Sequence, residues 1–172
     1  MVRKAERIVL PGVGAFKDCY EGLTAVPGMR DTLQEQVVAR GKPFLGICVG
    51  MQMLASRGHE YRLTEGFGWI PGDVVRIEPE DRTLKVPHMG WNRLQQKPHA
   101  LWAGIADGAR FYFVHSYCVQ PADSSVVTGT AEYGVPFTCA VGRDNIFAVQ
   151  FHPEKSAQDG LQLLKNFVAW QP

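Results

Sequence analysis

The sequence predicts an α/β fold in one domain. Three observations support this. In the first third, short apolar runs end in glycine loops and pass at once into helix-forming stretches. The second half is rich in β-branched and aromatic runs, and the last segment has helical spacing. A chain of 172 residues is long enough to bury one sizeable core, and no repeat, linker or low-complexity tract divides it.

Arg7–Leu10 reads as a short strand running into the loop Pro11-Gly12-Val13-Gly14. Helical stretches follow over Phe16–Leu23 and Met29–Arg40, the second stopped by Gly41 and Pro43. Phe44–Ile47 is a buried strand, Val49–Ser56 a helix and Gly58–Gly68 a loop. Strands are expected at Asp73–Ile77, Leu84–Pro87, Arg110–Val119, Val126–Glu132, Phe137–Val141 and Ile146–Phe151. The polar turn Gly142–Asn145 joins the last two as a hairpin. Ser156-x-x-Asp159 resembles a capping box opening a final helix, with Leu161, Leu164 and Val168 at helical spacing.

The segment Phe44-Leu45-Gly46-Ile47-Cys48-Val49-Gly50-Met51-Gln52 carries the chemistry. It is a Gly-x-nucleophile-x-Gly elbow with Cys48 as nucleophile. The glycines permit a cramped strand-to-helix turn, and backbone N–H groups and a helix N-terminus beside the thiol favour negative charge there. A base is available near the other end, in Gln150-Phe151-His152-Pro153-Glu154. In extended geometry His152 and Glu154 share one face, so Glu154 would hold the imidazole in the tautomer that accepts a thiol proton. The glycine-containing loop after the first strand, Gly12-Val13-Gly14, can present N–H groups to an oxyanion, partnering that of Val49.

Other chemistries find little support. A net charge of +1 without a basic run makes no case for nucleic acid or an acidic membrane surface. No apolar stretch approaches the roughly 18 residues a membrane helix needs. The first residues, Met1 to Glu6, carry no apolar signal core. Cys19, Cys48, Cys118 and Cys139 form no Cys-x-x-Cys pair, which favours reduced thiols in a cytoplasm. His115 and Cys118, three apart on one expected strand, point to opposite faces, so no metal site is expected. Gly12-Val13-Gly14 is no dinucleotide loop, because Lys17 stands where the third glycine belongs.

With these residues in view, the chain resembles the class I glutamine amidotransferase superfamily, and within it the glutaminase subunits of imidazole glycerol phosphate synthase. The elbow and the His-Pro-Glu segment carry the superfamily resemblance. Leu10-Pro11-Gly12-Val13-Gly14-Ala15-Phe16 and Val86-Pro87-His88-Met89-Gly90-Trp91-Asn92 point to the subfamily, with Tyr112-Phe113-Val114-His115-Ser116-Tyr117 beside them.

The resemblance implies a flavodoxin-like three-layer sandwich with a mostly parallel central sheet. It further implies that residues 1–172 are one amidotransferase domain, N-terminally short by the family's first strand, a glycine- and asparagine-containing loop and a helix. L-glutamine would be hydrolysed by a Cys48–His152–Glu154 triad, with Gly50, Gln52, Ser116 and Tyr117 at the amino-acid end of the substrate. No metal or other cofactor is implied. The partner implied is a (β/α)8-barrel cyclase, which uses the ammonia in histidine biosynthesis, with His88, Met89, Trp91 and Asn92 at the interface. The loop with Gly12 and Gly14 is expected to aim its donors only when that partner is bound. Two alternatives stand beside this: a stand-alone cysteine amide hydrolase, and a non-catalytic binding subunit.

Overall fold

The computed structural model describes residues 1–172. A short 3-10 turn at Val2–Lys4 precedes β1, Ile8–Gly12. Helix α1 spans Phe16–Thr24, and α2, Met29–Leu33, continues as a π-helical stretch over Gln34–Ala39. Then come β2 (Phe44–Cys48), α3 (Val49–Gln52), β3 (Arg57–Gly58), β4 (Thr64–Glu65), β5 (Gly72–Arg76), β6 (His88–Arg93) and β7 (Gln95–Gln96). The remainder is β8 (Arg110–His115), β9 (Tyr117–Pro121), β10 (Val127–Glu132), β11 (Pro136–Arg143), β12 (Ile146–Val149) and α4 (Ala157–Ala169).

The main sheet runs β1-β2-β12-β11-β9-β5-β3-β4, with β10 paired to β11 and β7 to β10; β6 and β8 form a separate ribbon. This is the predicted α/β fold, but the sheet is mixed rather than mostly parallel. Parallel pairing is confined to β1-β2-β12 and to the short β3-β5 contact. The other pairs are antiparallel because hairpins and short returns, such as the Asp144-Asn145 turn between β11 and β12, link them. One contiguous cluster of 40 buried residues runs through the molecule, with Phe44, Leu45, Phe147 and Val149 of the parallel strands wholly buried.

Several expected elements are corrected. Leu84–Pro87 is not a strand; pairing begins at His88. Arg110–Val119 breaks at Ser116, whose carbonyl accepts from the Ile77 N–H, so β8 joins the ribbon while β9 joins the main sheet. The elbow helix ends at Gln52. Beyond it the carbonyls of Met53, Leu54, Ala55 and Ser56 accept from the loop at Gly66–Ile70 instead of from a further helical turn.

On α4 the buried face is Gly160, Leu163 and Phe167, while Leu161 and Val168 are exposed. A Cβ on Gly160 would lie 1.9 Å from the Pro153 carbonyl, so this glycine lets α4 sit against the His152 loop. The glycine hides the inward stripe in the sequence. Ser156 precedes α4 but makes no side-chain cap; its hydroxyl is used elsewhere.

Candidate active site

Cys48 closes β2, a strand with every residue buried and with parallel neighbours on both sides. Its backbone is at φ 54°, ψ −114°, which a non-glycine residue occupies only under constraint. The constraint is the crossing of α3 over β1. A Cβ on Gly50 would fall 1.8 Å from the Leu10 carbonyl, so only glycine allows the turn to close this tightly. Gly50 was expected at the substrate; it is buried in this backbone crossing and does not line the cleft.

The base arrives from the next strand. Val149 of β12 lies opposite Ile47 of β2, so the two chains leave the sheet together and carry Gln150 and His152 toward Cys48. The Tyr112 carbonyl accepts from the His152 N–H at 2.9 Å. Ser156 Oγ donates to the His152 carbonyl at 2.6 Å and accepts from the Tyr112 N–H at 2.9 Å. The hydroxyl read as a helix cap thus anchors the histidine loop to β8.

The His152 ring stands with Nδ1 2.7 Å from Glu154 Oε1. A carboxylate only accepts, so Nδ1 carries the proton and Nε2 is left as the basic nitrogen. That Nε2 is buried and has no hydrogen-bond partner. An orphan acceptor beside a nucleophile is costly unless a proton is delivered to it in use.

Cys48 is a neutral thiol at rest. Burial pushes its pKa up to about 11; the Val49 N–H and the Gln150 side chain pull the other way without offsetting it. The N–H at the start of α3 does favour the thiolate, as expected, but burial outweighs it. The sulfur lies 3.7 Å from Gln150 Nε2 and 4.0 Å from the Val114 carbonyl.

Cys48 and His152 open on one cleft of about 270 Å³. Val13, Gly14, Val49, Gln52, Ser116 and Tyr117 line it, as expected, together with Glu60, Pro87, Val114, His115 and Lys155. Glu154 stands behind the ring. Gln52 Nε2 donates to the Tyr117 carbonyl and to Gln150 Oε1, both at 3.1 Å, which leaves its Oε1 as the free polar atom, an acceptor suited to an ammonium group. Glu60 brings a carboxylate to the same cleft, one oxygen holding the Phe16 N–H at 2.8 Å. Val13 is exposed, and its carbonyl accepts from the Cys19 thiol at 3.2 Å.

Of the four residues expected to meet a partner, Met89 and Trp91 are 63% and 50% exposed. His88 is 3% exposed, and Asn92 donates inward to the Glu132 carbonyl at 2.7 Å. Strand alternation in β6 separates them: residues 88 and 92 face in, 89 and 91 out. No group of three or more His, Cys, Asp or Glu side chains gathers for a metal.

The model of the family described as glutamine amidotransferase class-I matches residues 3–170. The imidazole glycerol phosphate synthase subunit HisH of Dechloromonas aromatica is 61% identical over 178 residues, covering 100% of this chain and 81% of that protein. The HisH subunit of Caulobacter vibrioides is 51% identical over 173 residues, again covering 100% and 81%.

The chain belongs to the class I glutamine amidotransferases, in the HisH family.

Solved glutamine amidotransferases share the fold. PurLQS from Thermotoga maritima superposes with a TM-score of 0.69 at 18% identity, over 95% of this chain and 79% of that one. A GMP synthase subunit from Thermoplasma acidophilum gives 0.67 at 18% identity, over 96% and 72%. This HisH-family chain is accordingly a glutamine amidotransferase subunit of the imidazole glycerol phosphate synthase type.

Sequence reasoning missed Glu60, Gln150, His115 and Lys155. Gln150 had a readable signal, a polar residue two before His152 and directly after the apolar run of β12. Glu60, in a loop, had none.

Proposed function

We propose that this single domain hydrolyses L-glutamine through Cys48, His152 and Glu154 and hands the ammonia to a (β/α)8-barrel cyclase. The supporting observation is the shared cleft, which brings together a buried thiol, a basic ring nitrogen without a partner, and Val13, Gly14 and Val49 in its lining.

As glutamine enters, its α-ammonium group meets Gln52 Oε1 and Glu60, which places the side-chain amide over Cys48. His152 Nε2 takes the thiol proton while the sulfur attacks the amide carbon. The charge that develops on the carbonyl oxygen is met by the backbone donors, each worth about 3–4 kcal/mol of transition-state stabilisation. His152 then returns its proton to the departing nitrogen, and ammonia leaves behind a γ-glutamyl thioester. The same ring activates a water molecule to release glutamate and regenerate the thiol. Glu154 orients the ring throughout and balances its transient charge.

Ammonia protonates in water and loses its nucleophilicity, so it must pass to the next reaction along a dry path. The relatives are named as subunits of imidazole glycerol phosphate synthase. In this reading exposed Met89 and Trp91 meet the cyclase, since an exposed tryptophan is a common anchor of protein contacts. Free thiols at Cys19, Cys48, Cys118 and Cys139 suit the reducing cytoplasm.

The test is glutamate release from glutamine, with and without the cyclase subunit, for the native chain and Cys48→Ala. The reading expects release that rises when the partner is added and disappears in the variant. Equal release from both proteins would reject it.

A further inference from the structure

Behind the cleft lies a buried polar chain that the reaction itself does not use. His88 Nδ1 is 2.9 Å from His115 Nε2, and His115 Nδ1 is 2.9 Å from the Tyr117 carbonyl. Asn92 Nδ2 stands 3.4 Å from His88 Nε2. The carbonyl fixes every proton. It can only accept, so His115 carries its proton on Nδ1 and offers a bare Nε2. That nitrogen in turn accepts from His88 Nδ1–H, and the remaining His88 Nε2 accepts from the Asn92 amide. Burial holds both rings far below the ordinary histidine value, at about 4, so both are neutral near pH 7.

The same Tyr117 carbonyl accepts from Gln52 Nε2, Gln52 Nε2 also donates to Gln150 Oε1, and Gln150 Nε2 donates to the nucleophile. One continuous network therefore runs from Asn92 on β6, the strand that carries exposed Met89 and Trp91, to Cys48 Sγ, its two arms meeting as donors at the Tyr117 carbonyl. The rings have little room to turn: Tyr133 stacks on His88 at 4.1 Å and Phe113 at 5.0 Å, and Phe137 closes on His115 at 5.1 Å.

We propose that His88 and His115 are positioning residues, a relay of two imidazoles in fixed tautomers that sets the Gln52 and Gln150 amides, and through them Cys48, from the register of the outer strand His88–Arg93. A shift of that strand changes the chain at Asn92 and His88 first, and is read at the glutamine cleft. This rests on the reading of Cys48 as the nucleophile of a glutaminase.

The test combines a spectroscopic signature with kinetics. In the ¹⁵N-histidine-labelled native chain at neutral pH, both rings are expected to show a protonated Nδ1 and a bare Nε2; a proton on Nε2 of either ring overturns the relay. In the complex with the cyclase subunit, His88→Phe keeps the stack but loses the donor. It is expected to raise the glutamine KM about tenfold with a smaller change in kcat, because Gln52 faces the substrate while His152 and Glu154 are untouched. His88→Asn returns an N–H donor near the Nδ1 position and is expected to recover to within about threefold of native. A folded His88→Phe protein with native kinetics, or a His88→Asn protein as impaired as His88→Phe, overturns the inference; if His88→Phe does not fold, the tautomers decide it. Glutamate release that survives in Cys48→Ala rejects the catalytic reading, and the positioning role with it, even where the tautomers are as expected.

Discussion

Gln150 Nε2 lies 3.7 Å from Cys48 Sγ, the two side chains standing where adjacent parallel strands leave the sheet together. With the Val114 carbonyl on its other side, the sulfur is held by neighbours that neither take nor give its proton in catalysis. Gln150→Leu keeps the bulk and removes the amide. It is expected to lower kcat/KM for glutamine about tenfold, roughly 1.4 kcal/mol of transition-state stabilisation. Steady-state kinetics of the complex check this; an unchanged value would show that the sulfur needs no such hold.

The resting thiol gives a pH signature. Burial raises the Cys48 pKa to about 11 from 9.0, which favours the neutral form, so near neutrality it holds about 100-fold less thiolate than an ordinary cysteine. Iodoacetamide labelling of Cys48 in the free chain, followed by peptide mapping, is expected to accelerate about tenfold per pH unit up to pH 9 and to level only near 11. A plateau below pH 8 would mean a resting thiolate–imidazolium pair.

Glu154 fixes the proton on His152 Nδ1 from a half-exposed position, its side chain 49% accessible. Glu154→Ala is expected to cut kcat by roughly 10²–10⁴ with little change in glutamine KM or thermal stability. Glu154→Gln, which keeps an acceptor oxygen, should fall between. Parallel kinetics and thermal melts of the three proteins separate tautomer control from a fold effect.

The elbow has no room for a side chain at Gly50. With a Cβ placed 1.8 Å from the Leu10 carbonyl, Gly50→Ala must push α3 off β1 and is expected to cost at least about 3 kcal/mol. Urea unfolding checks it, and native-like stability would contradict the crossing described.

The elbow, the His-x-Glu pair and most of the cleft were legible because each depends on local spacing. His152 and Glu154 nevertheless meet across the 3-10 turn Pro153–Lys155 and not on the strand face expected, since β12 ends at Val149. The helical spacing of Leu161, Leu164 and Val168 located α4 but not its inward side, which Gly160, Leu163 and Phe167 form. His88 was read as an outward residue because its segment carries the family signature; strand alternation turns it inward and leaves Met89 and Trp91 outside. The break at Ser116 and the arrival of Glu60 at the cleft are tertiary events, set by the Ile77 and Phe16 N–H groups respectively, and no pattern within their own segments encodes them.

The central claim is that Cys48 forms a covalent bond to glutamine with His152 as its proton carrier. Rapid acid quenching of the complex during turnover, followed by mass spectrometry of its peptides, tests this most directly. The account predicts a γ-glutamyl adduct on the Cys48 peptide, none on the peptides of Cys19, Cys118 or Cys139, and loss of the adduct in His152→Ala. Glutamate released with the adduct on another residue, or undiminished release in His152→Ala, would contradict it.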